Sequence, residues 1–265
     1  MKEQIISFLP DAYPWTDRLH WLSVTGSTND DLRALAKAGA PSGTAVLADR
    51  QTGGHGRRGR SFHSPQGSGI YLSLLLRPQC PPEKLMHLTC AAAVAACDAV
   101  QTAVGFRPGI KWTNDLVWGT RKLGGILTEI GFAPNGTLDW AIIGIGINCT
   151  QCRSDFPEEI RDMAGSLAMV TGQDVDRARV AAALLDALQT ISETLLTDKQ
   201  TILRRYRADC ITLGRDVVLL RGEERRYGRA LDIDEQGALL VSFRDGTTEA
   251  VNSGEVSVRG MYGYV

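Results

Sequence analysis

Between two apolar runs, TAVLAD (Thr44–Asp49) and IYLSLLL (Ile70–Leu76), the chain carries the segment GGHGRRGR, from Gly53 to Arg60. It holds four glycines, three arginines and one histidine, with no acid and no apolar side chain. Such a segment has nothing to bury, so it must be a loop outside any core. The fold must therefore pair strands around a polar connection. Glycines let backbone N–H groups converge on an anion without obstruction from Cβ atoms. Arginines add planar donors that match carboxylate and phosphate. The pattern is not a Walker A loop, because no Gly-Lys-Ser/Thr follows. By composition alone the segment is either a solvated hairpin loop or an anion-binding one.

The rest of the chain reads as a mixture of helices and strands. HWLSVT (His20–Thr25) has strand texture. A helix follows, with Ser27 or Thr28 as N-cap, Asp30 and Asp31 at its positive end and Gly39 as its stop. The Ala- and Leu-rich stretch from Glu83 to Val104 predicts a helix ended by Gly105. GIKW, DLVW and GGILTEIGF are short strand candidates, and WAIIGIGIN (Trp140–Asn148) is an apolar strand interrupted by two glycines. Residues 155–170 suggest short helical turns. Helices are predicted over Arg177–Leu196 and Lys199–Cys210.

At Leu213 the texture changes to short β-type runs. Turn signals fall at Gly222-Glu223, Glu235-Gln236-Gly237 and Asp245-Gly246. The expected organisation is a mixed α+β domain over residues 1–212 and a small all-β barrel over 213–265.

Composition narrows the function. The 265 residues carry 29 Lys+Arg and 30 Asp+Glu, a formal net charge of −1, which disfavours a general nucleic-acid binder. The start, MKEQIISFLPDAYPW, lacks the apolar run of a signal peptide. No apolar stretch approaches the ~20 residues that span a bilayer. The six cysteines are too sparse for a disulfide scaffold, and Cys149/Cys152 lack the further ligands of a zinc site. No metal site and no membrane contact are expected, and a reducing cytoplasm is the simplest location.

Four further constellations carry chemistry. In KWTND, Lys111, Asn114 and Asp115 place a cation, an amide and a carboxylate in one strand–turn–strand. In KLGGIL, Lys122 precedes two glycines and is suited to polarising a carboxylate or phosphate oxygen. Its bland alternative, like that of Lys111, is a snorkelling surface lysine. In GIGIN, Gly144 and Gly146 mark close backbone approach, and Asn148 stands at the strand's mouth. In GSTND, Ser27 and Thr28 either cap a helix or meet a ligand. No Ser/His/Asp or Cys/His array accompanies them. The set suits acyl or nucleotidyl transfer by positioning and charge neutralisation.

In that order and spacing, STN (Ser27–Asn29), QTGGHGRRGR (Gln51–Arg60), KWTND, KLGGIL and GIGIN resemble the biotin–protein ligase (biotin–[acetyl-CoA-carboxylase] ligase) family. The resemblance runs from Ser27 into the C-terminal unit. It implies a mixed central sheet flanked by helices, of the class II aminoacyl-tRNA-synthetase-like, biotin–lipoate ligase-like kind, with a C-terminal SH3-like barrel. It also implies biotin, ATP and Mg²⁺, formation of biotinyl-5′-AMP, and transfer of biotin to a lysine of a biotin carboxyl carrier domain. A homodimer is compatible with it.

By family position, Ser27, Thr28 and Gln51 should hold the ring end of biotin. His55, Gly56 and Arg57 should meet the biotin or adenylate side of the loop. Lys122 should reach the carboxylate and then the acyl phosphate, and Asp115 should orient the acceptor amine. Gly125, Gly144 and Gly146 should line the pocket, with Asn114 and Asn148 at the nucleotide end. Asn29, Gly54, Arg58, Phe62 and Lys111 complete the set of ligand contacts.

Three positions depart from the family pattern. His55 replaces an arginine, Thr113 a frequent proline, and Phe62 a tryptophan of some members. Only 26 residues precede Ser27, without a helix-pair pattern, so DNA binding and repression are not expected. The competing readings are a lipoate–protein ligase and a non-catalytic biotin sensor.

Overall fold

The computed structural model describes residues 1–221, 223–252 and 255–258, with backbone only at 221 and 255–258. Seven strands form the larger sheet: β1 (Leu19–Thr25), β2 (Ala45–Gln51), β3 (Gly69–Leu76), β4 (Gly109–Lys111), β5 (Asp115–Trp118), β6 (Arg121–Phe132) and β7 (Leu138–Asn148). Their order is β1-β2-β3-β7-β6-β5-β4. β1 and β2 are parallel and joined through α2 (Thr28–Lys37); the other neighbours are antiparallel. The sheet is therefore mixed, and β3, beside the central strand β7, is buried along its whole length.

Period-2 alternation divides the sheet into two faces. Leu74, Leu76, Ile143, Ile145 and Ile147 enter the main core. That core is closed by α1 (Lys2–Phe8), α3 (Leu88–Val104), α5 (Arg177–Thr194) and α6 (Lys199–Asp209). The intervening positions Leu75 and Ile142 face the other way, onto Leu32 and Ala36 of α2 and Trp140. The short helix α4 (Leu167–Thr171) follows β7.

Two helical boundaries differ from the sequence reading. The stretch expected as one helix from Glu83 begins with a 3₁₀ turn, Pro82–Leu85, and becomes α-helical at Leu88. Prolines 81 and 82 account for the late start, since proline lacks the N–H of a helix interior. The second is α1, which the sequence did not signal. Its Ile5, with Leu9 and Tyr13, packs into the main core. Pro82–Val104 also meets the length and composition of a bilayer-crossing segment, against expectation. In the fold it is a core helix: α3 is apolar on most sides because sheet and helices enclose it, and Gly105 ends it in the left-handed region at φ 72°.

The C-terminal residues form a five-stranded antiparallel sheet: β8 (Asp216–Arg221), β9 (Glu224–Ile233), β10 (Leu239–Phe243), β11 (Thr248–Val251) and β12 (Glu255–Val258). The order is β11-β10-β9-β8-β12, and no pairing joins the two edges among the described residues. The turns expected at Glu235–Gly237 and Asp245-Gly246 are present, with Gly237 and Gly246 both at φ 86°. Gly222 of the third expected turn lies outside the described residues, as do residues 259–265. This sheet docks on the larger one through Trp112: its backbone N–H donates to Thr212 Oγ1 (2.9 Å) and its indole N–H to the Gly237 carbonyl (3.0 Å). Beside it, Tyr206 donates its hydroxyl to the Thr113 carbonyl at 2.9 Å.

Candidate active site

The sheet face shared with α2 carries a cleft of about 700 Å³. Strand register explains which residues reach it. Lys111, Asp115, Gly125, Gly146 and Tyr71 are successive partners across β4, β5, β6, β7 and β3. A second row joins Leu127, Gly144 and Ser73. In GIGIN, then, the isoleucines point into the core and the glycines form the floor of the cleft.

The glycines are required by what lies over them. A Cβ on Gly144 would collide with the Asn29 amide. One on Gly146 would meet the Phe62 ring, with Cζ at 2.7 Å. Lys122 reaches the same face through an irregularity in β5–β6 pairing, where register shifts between Leu116 and Val117. Regular alternation back from Gly125 would have put Leu123 in the cleft. The bulge instead sends Leu123 into the core and brings Lys122 to the ligand side.

The site has two chemically distinct parts. At the α2 end, Gln51 Oε1 accepts from the Thr28 N–H (2.9 Å) and hydroxyl (3.1 Å), while its Nε2 donates to Ser64 Oγ (3.0 Å). Ser73 Oγ lies 2.8 Å from Thr28 Oγ1 and 2.6 Å from Asn29 Oδ1. Ser27, Thr28 and Asn29 are all buried; Ser27 stands at the helix N-cap without a side-chain capping bond. This is a neutral, preorganised hydrogen-bonding pocket. Toward β4 and β5 the site is charged. Lys122 Nζ sits 2.6 Å from Asp115 Oδ1, and Arg57 donates to Asn114 Oδ1 at 3.2 Å. Burial, with Arg58 adjacent, holds the Arg57 guanidinium below its ordinary pKa although Asp115 and Tyr206 act the other way. An anion arriving there would relieve the cost of burying that charge.

The Gly/Arg segment is an ordered hairpin. Thr52 and Gly53 N–H groups donate to Thr25 and Gly26 carbonyls (2.9 and 2.8 Å). His55 bridges Ser61, Gly56 N–H donates to the Arg60 carbonyl (2.6 Å), and Phe62 N–H to Gly54 (2.8 Å). Arg58, at the tip, holds φ 59°, the left-handed region that side chains rarely adopt. His55 turns toward α2, where its Nε2 lies 2.9 Å from Asp30 Oδ2.

Every residue singled out from the sequence lines the cleft except Gly54. Gly54 backs the hairpin: a Cβ there would meet the Phe62 carbonyl at 2.7 Å and Ser64 Oγ at 2.8 Å. Two asparagines expected at the nucleotide are engaged by the protein. Asn114 Nδ2 donates to the Ile126 carbonyl, and Asn148 Nδ2 to that of Gly165, both at 2.9 Å. Sequence reasoning missed the wall made by Phe156, Ile160, Met163 and Ala164, which follow in a run of turns. It also missed His63, a cleft-lining residue whose Nε2 is buried without a hydrogen-bond partner. Cys149 is buried and Cys152 exposed, so the two do not form a ligand pair.

Residues 21–148 match the biotin/lipoate A/B protein ligase family, and residues 212–259 match the biotin protein ligase C-terminal domain. The bifunctional ligase/repressor BirA of Bacillus spizizenii is 38% identical over 229 residues, 86% of this chain and 70% of that protein. The biotin–[acetyl-CoA-carboxylase] ligase of Mycobacterium tuberculosis is 34% identical over 245 residues, 90% of this chain and 88% of its own length. The structure of the Aquifex aeolicus biotin protein ligase in complex with biotin and ATP aligns with a TM-score of 0.76 at 31% identity, covering 91% of this chain and 98% of that one. The chain belongs to the biotin protein ligase family.

Proposed function

We propose that the protein is an ATP-dependent biotin–protein ligase. The observation that carries the reading is the convergence of all five sequence motifs on one cleft with a neutral and a cationic end. The neutral end, Thr28–Gln51–Ser73, suits the ring of biotin, whose polar edge needs fixed donors and acceptors. The charged end suits its carboxylate and the nucleotide phosphates.

In the first step a carboxylate oxygen of biotin attacks the α-phosphorus of ATP. The P–O bond to pyrophosphate breaks, and biotinyl-5′-AMP forms. Two anions must meet, so the work of Lys122 and Arg57 is to neutralise charge that grows on the phosphoryl oxygens. Asp115 holds the Lys122 ammonium in place. In the second step the lysine amine of a biotin carboxyl carrier domain attacks the acyl carbon. AMP leaves, and the amine gives up a proton. Asp115 is the one carboxylate lining the cleft among the described residues, and it is our candidate for orienting that amine.

Between the steps the hairpin keeps water from the acyl phosphate. His55, Gly56 and Arg58 complete its ligand-facing surface, and Phe62 offers an aromatic face where an indole stands in some members. Lys111 and Asn148 support the nucleotide end, Asn148 through the backbone it fixes.

Magnesium fits this reading only as an ion carried by the nucleotide phosphates. Among the described residues no three His, Cys, Asp or Glu side chains could hold a metal, and Asp115 is engaged by Lys122. The C-terminal strands, with their tight turns, support a small SH3-like barrel. The start of β8 at Asp216 supports a domain boundary near residues 212 and 213. The test supplies labelled biotin or lipoate with ATP and a carrier domain. Biotin transfer is expected; transfer of lipoate without biotin would overturn the proposal.

A further inference from the structure

Among the side-chain ties that hold the hairpin over the cleft, two lie on opposite flanks of the site. One tie is Arg57 to Asn114, on the turn between β4 and β5. The other is His55 to Asp30, on the first turn of α2. Asp30 is itself fixed: Arg33 Nη1 donates to its Oδ1 at 2.6 Å, and Arg33 Nη2 reaches Glu129 of β6 at 2.8 Å. Glu129 in turn accepts from Asn29 at 3.1 Å, and Asn29 lies over Gly144 of the cleft floor. The carboxylate that meets the hairpin thus belongs to a network rooted in α2, β6 and the ligand pocket.

We infer that Asp30 is a positioning residue for the hairpin, and that its pairing with His55 sets how long the activated biotin is retained. The inference rests on the ligase reading above. Its physical basis is the sign and reach of the pair. Burial works against the Asp30 charge, but hydrogen bonds from His55 and Arg33 outweigh it and hold the carboxyl below the usual carboxylate range. Asp30 is therefore an anion wherever the enzyme works. Its partner is the His55 Nε2, within hydrogen-bond reach at 2.9 Å.

Among the described residues, the pair is joined to Arg33 of α2 and, through it, to Glu129 of β6. An arginine at position 55 would bring the planar donors that make two-pronged carboxylate contacts; the histidine found here makes a lighter tie. Both side chains are about half exposed, at 51% and 45%, so the tie is a modest one.

The test has two readouts on the 265-residue chain. Hydrogen exchange across residues 53–64 is measured without ligand in wild type, Asp30→Asn, His55→Ala, His55→Arg and the Asp30→Asn/His55→Ala double variant. Release of biotinyl-5′-AMP is then measured without acceptor, after a single turnover with labelled biotin and ATP.

Asp30→Asn and His55→Ala should each raise both rates about two- to five-fold over wild type, the range an exposed pair supports. The double variant should be no faster than either single one. His55→Arg should keep both rates at or below those of wild type. Asp30→Asn rates equal to wild type, or a double variant faster than either single one, would overturn the inference. A wild type that forms no adenylate would refute the ligase reading instead, while exchange would still decide whether the tie exists.

Discussion

Gly146 lies beneath the Phe62 ring, and replacing it by alanine tests the packing that shapes the cleft floor. An ideal Cβ would stand 2.7 Å from Cζ and 2.9 Å from Cδ1, with Cε1 nearer still. Carbon atoms pack best about 3.5–4.0 Å apart, so the ring must retreat by on the order of 1 Å. It has little room to do so. Its other side approaches the space above Gly125, with Cε2 at 3.8 Å, and its edge meets Tyr71 at a centroid distance of 6.4 Å. Overpacking of this kind costs about 1–3 kcal/mol. In a chain of this size that lowers Tm by roughly 2–10 °C. The escape left to the ring is into the cleft, so biotin affinity should also fall.

Phe62→Ala removes the collision, and the double variant should then be less damaged than the sum of the two. Residues in contact couple by about 0.5–3 kcal/mol, and we expect at least about 1 here. Calorimetric unfolding and biotin titration of the four proteins measure the cycle. Additivity within about 0.5 kcal/mol, or an undamaged Gly146→Ala protein, would refute the reasoning.

Lys122→Ala should lower biotin-dependent pyrophosphate release by about 10²- to 10³-fold, the loss expected for one preorganised donor at a developing charge. Asp115→Asn should slow both half-reactions, and transfer to the carrier domain more than pyrophosphate release; equal losses would restrict Asp115 to holding Lys122. Trp112→Phe keeps an aromatic ring but removes the donor to the Gly237 carbonyl and part of a buried side chain, and should cost at least about 0.5–1.5 kcal/mol in denaturant unfolding. Burial pushes the Cys149 thiol up to about 12, so it stays protonated at pH 8. Iodoacetamide at that pH should modify exposed Cys152 and spare Cys149, as peptide mapping by mass spectrometry would show.

The strands at the heart of the sheet were legible because they are short, apolar and bounded by turns. The floor of the cleft was half legible. GIGIN announced a close backbone approach, and register then showed that its glycines face the ligand while its isoleucines face the core. Lys122 could be picked out by its neighbours, but its direction could not. That depends on a bulge, which arises from pairing between strands and leaves no local pattern. The wall of Phe156, Ile160, Met163 and Ala164 left a faint signal, apolar residues three to four apart. It reads as a helix face, whereas the chain forms turns there. The tie of His55 to Asp30 was hidden for a different reason. The two lie 25 residues apart, on a loop and a helix that meet only through the fold. Gly54 carried the right residue type and a different reason: it makes room for the hairpin's own backbone.

The grip of the small sheet on Trp112 bears on how the two halves of the molecule share free energy. The residue that donates to Gly237 sits next to Lys111 and two positions from Asn114, so cleft and small sheet are joined through one short backbone stretch. Coupling of this kind is reciprocal. Whatever a nucleotide gains by stiffening that stretch, the contact at Gly237 gains equally. A protein that seats itself on the outer sheet would then change affinity inside the cleft without touching anything bound there, and a filled cleft would make the outer sheet the better landing place.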